Sequence, residues 1–261
     1  MEMVKENKED KQLQADSISI TYFTDPLCCW SWAFEPEWRK LLFEYQGLIT
    51  WNYRMGGLLP AWKNFNDPVN SVTRPVQMGP VWMHASQLSG MPMQHAIWMK
   101  DAPASSYPAC IAVKCAQLQA AYYGEQYLRL LREAVMLNGI NIAKETVLIE
   151  MALELEKQST GFNTELFKKH LYGREGLEAF KQDMQQVKNY NISRFPTLIF
   201  KYKNQHPLII TGYRPYTSLI DALHQLVPDI KPAAKAVSAE EYQSYWLTVT
   251  ARETEEALKE N

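Results

Sequence analysis

Cysteine is scarce in this chain: four in 261 residues, Cys28, Cys29, Cys110 and Cys115. So few in so long a chain exclude a disulfide-stapled scaffold. Their spacings (adjacent, then far apart, then five) fit no common zinc pattern, so no metal site is expected. An excess of either charge is lacking too. The 27 Lys and Arg nearly balance the 29 Asp and Glu, for a formal net charge of −2. That balance points to neither nucleic acid nor an acidic membrane as partner. No apolar run approaches the ~20 residues that a membrane helix needs. The opening stretch, Met1–Asp10, is polar and mixed in charge, without the apolar core or small-residue cleavage site of a secretory signal. The expected location is the cytoplasm, where thiols stay reduced and disulfides are usually transient and catalytic. Internal repeats and low-complexity tracts are absent.

What is present is a substantial apolar fraction, 46%, enough for one or two cored domains. Residues 1–16 read as a solvated, disordered tail. Ser17–Phe23 alternates and is rich in β-formers, as is Leu48–Met55, so both are expected strands. Between them a helix is expected from about Ser31 to Tyr45, with Pro36 one turn in, kinking it or interrupting one bond. Residues 58–106 are rich in Pro, Met, Trp and Asn with weak periodicity, and read as loops and short helices. Helices are expected from Ser105 or Ser106 to Gly124, over Glu125–Leu137, Lys144–Lys157 and Thr164–Leu171, and through Leu177, Phe180, Met184 and Val187. The period then returns to two at Thr197–Tyr202 and Leu208–Thr211, followed by a helix over Thr217–Leu226. A linker (228–237) leads to one amphipathic helix, Ala239–Leu258, capped by Ser238 with Glu241 three residues on. The order suggests one α/β layer, formed by residues 17–58 and 190–227, interrupted by a helical domain over 59–189, with a linker and terminal helix over 228–261.

Two places carry chemistry. Cys28 and Cys29 lie where a strand gives way to a helix, and unpaired N–H groups at a helix start stabilise a thiolate and lower its pKa. The spacing Cys28-Cys29-Trp30-Ser31 puts a hydroxyl where a second thiol would release a mixed disulfide. Cys29 is the alternative second thiol, but neighbouring Cα atoms are ~3.8 Å apart while disulfides usually span more than ~4.4 Å. The bland reading is two small buried hydrophobes. The second place is Arg194-Phe195-Pro196-Thr197, where a proline ahead of a strand reads as a strand-entry proline or as a cis bond exposing backbone to an extended peptide.

Asp25-Pro26-Leu27-Cys28-Cys29-Trp30-Ser31-Trp32-Ala33-Phe34-Glu35-Pro36 resembles the DsbA-family pattern D-P-x-C-x-W-C-W-G-F-x-P. Phe195-Pro196-Thr197 is similar to that family's cis-proline loop. Met55-Gly56-Gly57-Leu58, Tyr107-Pro108-Ala109-Cys110 and Gly212-Tyr213-Arg214-Pro215 are similar to further marks of its cytoplasmic, FrnE-like branch. The resemblance spans Ser17 to Val227. It implies an α/β thioredoxin-like fold with an inserted helical domain, and thiol–disulfide exchange. Cys28 takes the nucleophile position and Pro196 the cis-proline position, with Trp30, Phe195 and Thr197 beside them. Ser31 at the resolving position and Ala33 in place of Gly depart from the pattern. They imply a monothiol exchanger acting on protein thiols and disulfides or on glutathione, which serves as co-substrate rather than bound cofactor. Two other readings stand on the same scaffold: a non-redox adaptor or peptide binder, and a glutathione-dependent isomerase or transferase.

Cys115 falls on an apolar helix face with Ile111, Leu118 and Tyr122, and reads as core. Cys110, near that helix's start, is a candidate to resolve Cys28. His84 and His95, among Trp and Met residues, read as structural or as acid–base groups. Arg214 could hold a carboxylate, such as glutathione's, or be a solvated arginine. The acidic polar face of the terminal helix favours packing within the monomer or a homodimer over a membrane.

Overall fold

The computed structural model describes residues 17–236 and 238–260; the expected tail over 1–16 lies outside them. Two compact units are present. The first comprises the described residues of Met1–Tyr22, Phe34–Asn52 and Thr197–Asn261; the second comprises Phe23–Ala33 and Tyr53–Pro196. The segment Phe23–Ala33, which carries the cysteine pair, belongs to the helical unit.

The four-stranded sheet has the order β2-β1-β3-β4, with β1 Ile18–Thr24, β2 Ile49–Met55, β3 Thr197–Lys201 and β4 Leu208–Thr211. β3 and β4 pair antiparallel, Thr197 opposite Thr211 and Phe200 opposite Leu208. In β1 the alternating Ile18 and Ile20 are buried and Ser19 between them is exposed, the side-chain period of a strand. The helix expected over Ser31–Tyr45 is two helices, α1 Cys29–Ala33 and α2 Glu35–Glu44. They break at Phe34 because Pro36, in the first turn of α2, has no N–H to continue the ladder. Every residue of α2 is buried, and Trp38 meets Tyr22 edge-on at 5.1 Å between ring centroids.

In the helical unit, two 3-10 turns (Trp62–Asn64 and Pro75–Gln77) lead to α3 Met78–Ser89 and α4 Ile97–Lys100. Then follow α5 Tyr107–Gln117, α6 Ala121–Met136, α7 Glu145–Gln158, α8 Thr164–Tyr172 and α9 Glu175–Asn189. Gly124 does not end a helix, as the sequence suggested. The chain breaks earlier, at Leu118–Ala120, and Gly124 lies inside α6, where a Cβ would sit 2.7 Å from Gln117 Cβ. This glycine is a contact point between helices and not a stop signal.

The first unit closes with α10 Tyr216–Leu226, α11 Ala239–Tyr245 and α12 Ala251–Ala257. The single terminal helix expected is therefore two. Ser238 caps α11 by accepting from Glu241 N. The second helix has its own box, with Thr250 Oγ1 accepting from Glu253 N and Glu253 accepting from Thr250 N. A second cap inside an apolar-periodic stretch forces a fresh start. Phe43 of α2, Tyr242 of α11 and Ala257 of α12 form a small core with Trp246 and Val249 against it.

Candidate functional site

β1 ends at Thr24, and Asp25 turns the chain. The Cys28 N–H donates to the Asp25 carbonyl at 3.1 Å, and Leu27 N–H donates to Asp25 Oδ1 at 2.9 Å, the self-bonding turn that Asp favours. The other carboxylate oxygen, Oδ2, accepts from Leu58 N–H (2.7 Å), the Ser106 hydroxyl (2.8 Å) and the Cys110 thiol (3.3 Å). Asp25 is completely buried. It ties the cysteine turn to the segment after β2 and to the start of α5.

The Cys28 thiol donates to the Phe195 carbonyl at 3.6 Å, and the Ser31 N–H reaches Cys28 Sγ at 3.4 Å. The Phe195–Pro196 peptide is cis. Gly56 makes room for this loop: a Cβ there would overlap the Phe195 ring. Trp30 is half-buried and its ring meets the exposed His84 ring edge-on at 5.7 Å. Trp32 is buried, donates from Nε1 to the Pro92 carbonyl at 3.0 Å, and lies under the Arg129 guanidinium.

The electrostatics correct one expectation. Burial pushes the Cys28 thiol pKa up rather than down, and this outweighs the Ser31 side chain and N–H, which favour the thiolate. Asp25 adds to the rise and Arg132 opposes it. Cys28 is only 4% exposed, and this loss of water sets the direction of the shift. The Ser31 hydroxyl is buried and finds no partner in hydrogen-bond geometry, so its N–H, at 3.4 Å, is the contact that the geometry supports. Burial raises Cys29 further, with the adjacent Cys28 adding to it. Cys110 is raised well above its ordinary value by burial and then by Asp25; its thiol is engaged by that carboxylate. Burial pushes Cys115 up to about 12, and its sulfur packs where a Cβ on Gly176 would sit. All four cysteines are free thiols.

Of the residues picked from sequence, Cys28, Ser31 and Phe195 are brought together by direct contacts, with Pro196 in the same loop and Trp30 and Cys29 in the same turn. Thr197 and Arg214 belong to the other unit. Thr197 is buried, with its hydroxyl 3.4 Å from Thr211 Oγ1, and Arg214 is exposed. Sequence reasoning missed Asp25 as a hub, having used it as the first residue of the motif. It also missed Arg132, buried and bonded to the Thr24 hydroxyl. A charge on the apolar stripe of Leu128, Leu131 and Val135 was the available signal. Among the described residues no cluster of three or more metal-ligating side chains occurs.

Residues 22–220 match the sequence profile of the family described as thioredoxin. The chain belongs to the thioredoxin family. Among curated members it is similar to the ClpXP adapter protein SpxH of Halalkalibacterium halodurans, at 31% identity over 221 residues, 84% of this chain and 71% of that one. The SpxH of Bacillus subtilis is 29% identical, over 90% of this chain and 76% of that one. Among solved structures, the cytosolic disulfide reductase DsbM of Pseudomonas aeruginosa superposes with a TM-score of 0.60 at 19% identity, over 80% of this chain and 100% of that one. A 2-hydroxychromene-2-carboxylate isomerase does so at 0.58 and 17%, over 80% and 95%. At these identities the structural likeness shows the fold: a thioredoxin-like α/β fold with a helical insertion and DsbA-type neighbours. The thioredoxin profile ends at residue 220, so α11 and α12 lie beyond it.

Proposed function

We propose that this thioredoxin-family protein is an adaptor that holds a client protein and presents it to a ClpXP-type protease, with Cys28 serving as a structural thiol. The observation that carries this reading is the state of Cys28: buried, raised in pKa, and followed at the third position by Ser31, which cannot close a disulfide. A thiol that stays protonated near neutrality is a poor nucleophile. The SpxH relatives add support, and they favour an SpxH-like over an FrnE-like branch. In this reading the half-buried Trp30 and Phe195 serve client contact, and Arg214 is a solvated side chain. Four free thiols agree with a cytoplasmic setting.

A monothiol exchanger is the second reading, favoured by the contact between Cys28 Sγ and the Phe195 carbonyl beside the cis-proline. There Cys28 would attack a protein or glutathione disulfide, and an outside thiol such as glutathione would release the product. Purified ClpXP separates the two. Wild type and Cys28→Ser are immobilised in turn, ClpXP is passed over them with ATP, and glutathione-dependent reduction of insulin is measured in parallel. The adaptor reading expects equal ClpXP binding by both proteins and no catalysed reduction. Absence of ClpXP binding together with Cys28-dependent reduction would overturn it in favour of exchange.

A further inference from the structure

Helix α2 has the composition of a surface helix and the burial of a core one. Five of its ten residues, Glu35, Glu37, Arg39, Lys40 and Glu44, are charged, and all five are buried. Much of the cover comes from the chain beyond residue 227. Arg39 donates to Glu253 Oε1 (3.0 Å) and the Thr248 carbonyl (2.7 Å), and its guanidinium lies 4.2 Å over the Trp246 ring. Lys40 donates to the Lys259 carbonyl at 2.8 Å. The Glu44 carbonyl accepts from Ala233 N–H at 2.7 Å. The described residues of 228–260 thus form a strap across α2 within one compact unit.

Glu37 is served poorly by the strap. Its Oε1 accepts from the Tyr213 hydroxyl at 2.9 Å. Arg252 of α12 lies 3.8 Å away, but it is held by Glu256 at 2.8 Å. The second oxygen, Oε2, is buried and meets no hydrogen-bond partner. Glu256 also faces Glu37 as a like charge. A carboxylate so placed is stabilised by losing its charge or by leaving its site.

We propose that the strap is a releasable cover whose closure over α2 weakens when Glu37 ionises, so that rising pH exposes the charged face of α2. Burial raises Glu37 from the ordinary 4.5 to about 7, with Glu256 adding to the rise, against the pull of its own backbone N–H, the Tyr213 hydroxyl and Arg252. The closed form therefore holds a proton that the open form releases at lower pH. Closure is firmest below about pH 4.5 and is progressively weakened as pH rises to about 7. With those two values, the opening constant rises up to about tenfold between pH 6 and pH 8. The proposal does not depend on the adaptor reading.

Hydrogen exchange on the full chain tests it, comparing protection factors at pH 6 and pH 8 after correction for intrinsic rates. Protection of the α12 amides is expected to fall by up to about tenfold, while that of β3, in the same unit, holds. In Glu37→Gln, which keeps the shape and removes the charge, α12 protection is expected to be independent of pH. Unchanged α12 protection in wild type, an equal fall in β3, or a fall that persists in Glu37→Gln would each overturn the proposal. If the variant does not fold, the comparison of α12 with β3 in wild type decides alone.

Discussion

Replacing Asp25 by Ala tests the hub directly. Its carboxylate accepts from two backbone N–H groups, Leu27 and Leu58, and from the Ser106 hydroxyl and the Cys110 thiol, with no exposure to water. The hydroxyl and thiol can rotate toward other acceptors, so the cost rests on the two amides. A buried donor left unpaired costs about 1–3 kcal/mol, so two give about 4 kcal/mol as a central value. Over a urea m-value of about 3 kcal/mol/M, that lowers the midpoint by about 1.3 M. Asp25→Asn keeps one acceptor oxygen and is expected to cost less than half as much. The assay is urea unfolding followed by tryptophan fluorescence. Because Asp25 also raises the Cys28 pKa, the Asn variant should alkylate faster at Cys28 than wild type at the same pH. A loss below about 1 kcal/mol for Asp25→Ala would refute the hub, since two unpaired buried amides cannot cost so little.

Three further outcomes are expected. Iodoacetamide should label Cys28 slowly in the folded protein, with an apparent pKa above the free-cysteine value of ~8.5 and fast labelling after unfolding; a titration midpoint below that value would contradict the burial argument. Gly56→Ala should lower the melting temperature by the equivalent of about 1–3 kcal/mol, as overpacking does, because the new methyl overlaps the Phe195 ring. Phe195→Ala on top of it should restore part of the loss, and strict additivity of the two would exclude the clash as the cause. Glu253→Ala removes the carboxylate 3.0 Å from the buried Arg39 guanidinium, which keeps the Thr248 carbonyl, and should cost toward the low end of about 3–5 kcal/mol; calorimetry showing less than about 1 kcal/mol would mean that the guanidinium finds water.

Sequence by itself determined the elements whose signals are local. The alternation in Ile18–Thr24, the turn chemistry of Asp25-Pro26, the missing N–H of Pro36 and the motif pair around Cys28 and Pro196 all act within a few residues; the element order suggested an α/β layer with a helical insertion, and the motif resemblance implied that it is thioredoxin-like. Ser31 in place of a second thiol was legible for the same reason. The thiol's ionisation was not, because it depends on how much water the rest of the chain removes from Cys28, and only packing decides that. Gly124 illustrates the same limit: a glycine reads locally as a stop, but its role was to let the backbone of α6 approach Gln117. The second start at Thr250 was hidden inside one apolar period, since Trp246 and Val249 pack on α2 through a break that periodicity alone cannot register. Tertiary structure also decided the charge on α2. Glu37, Arg39 and Lys40 are buried because residues far along the chain cover them, and the energy of a charge depends on its distant neighbours as much as on its own helix.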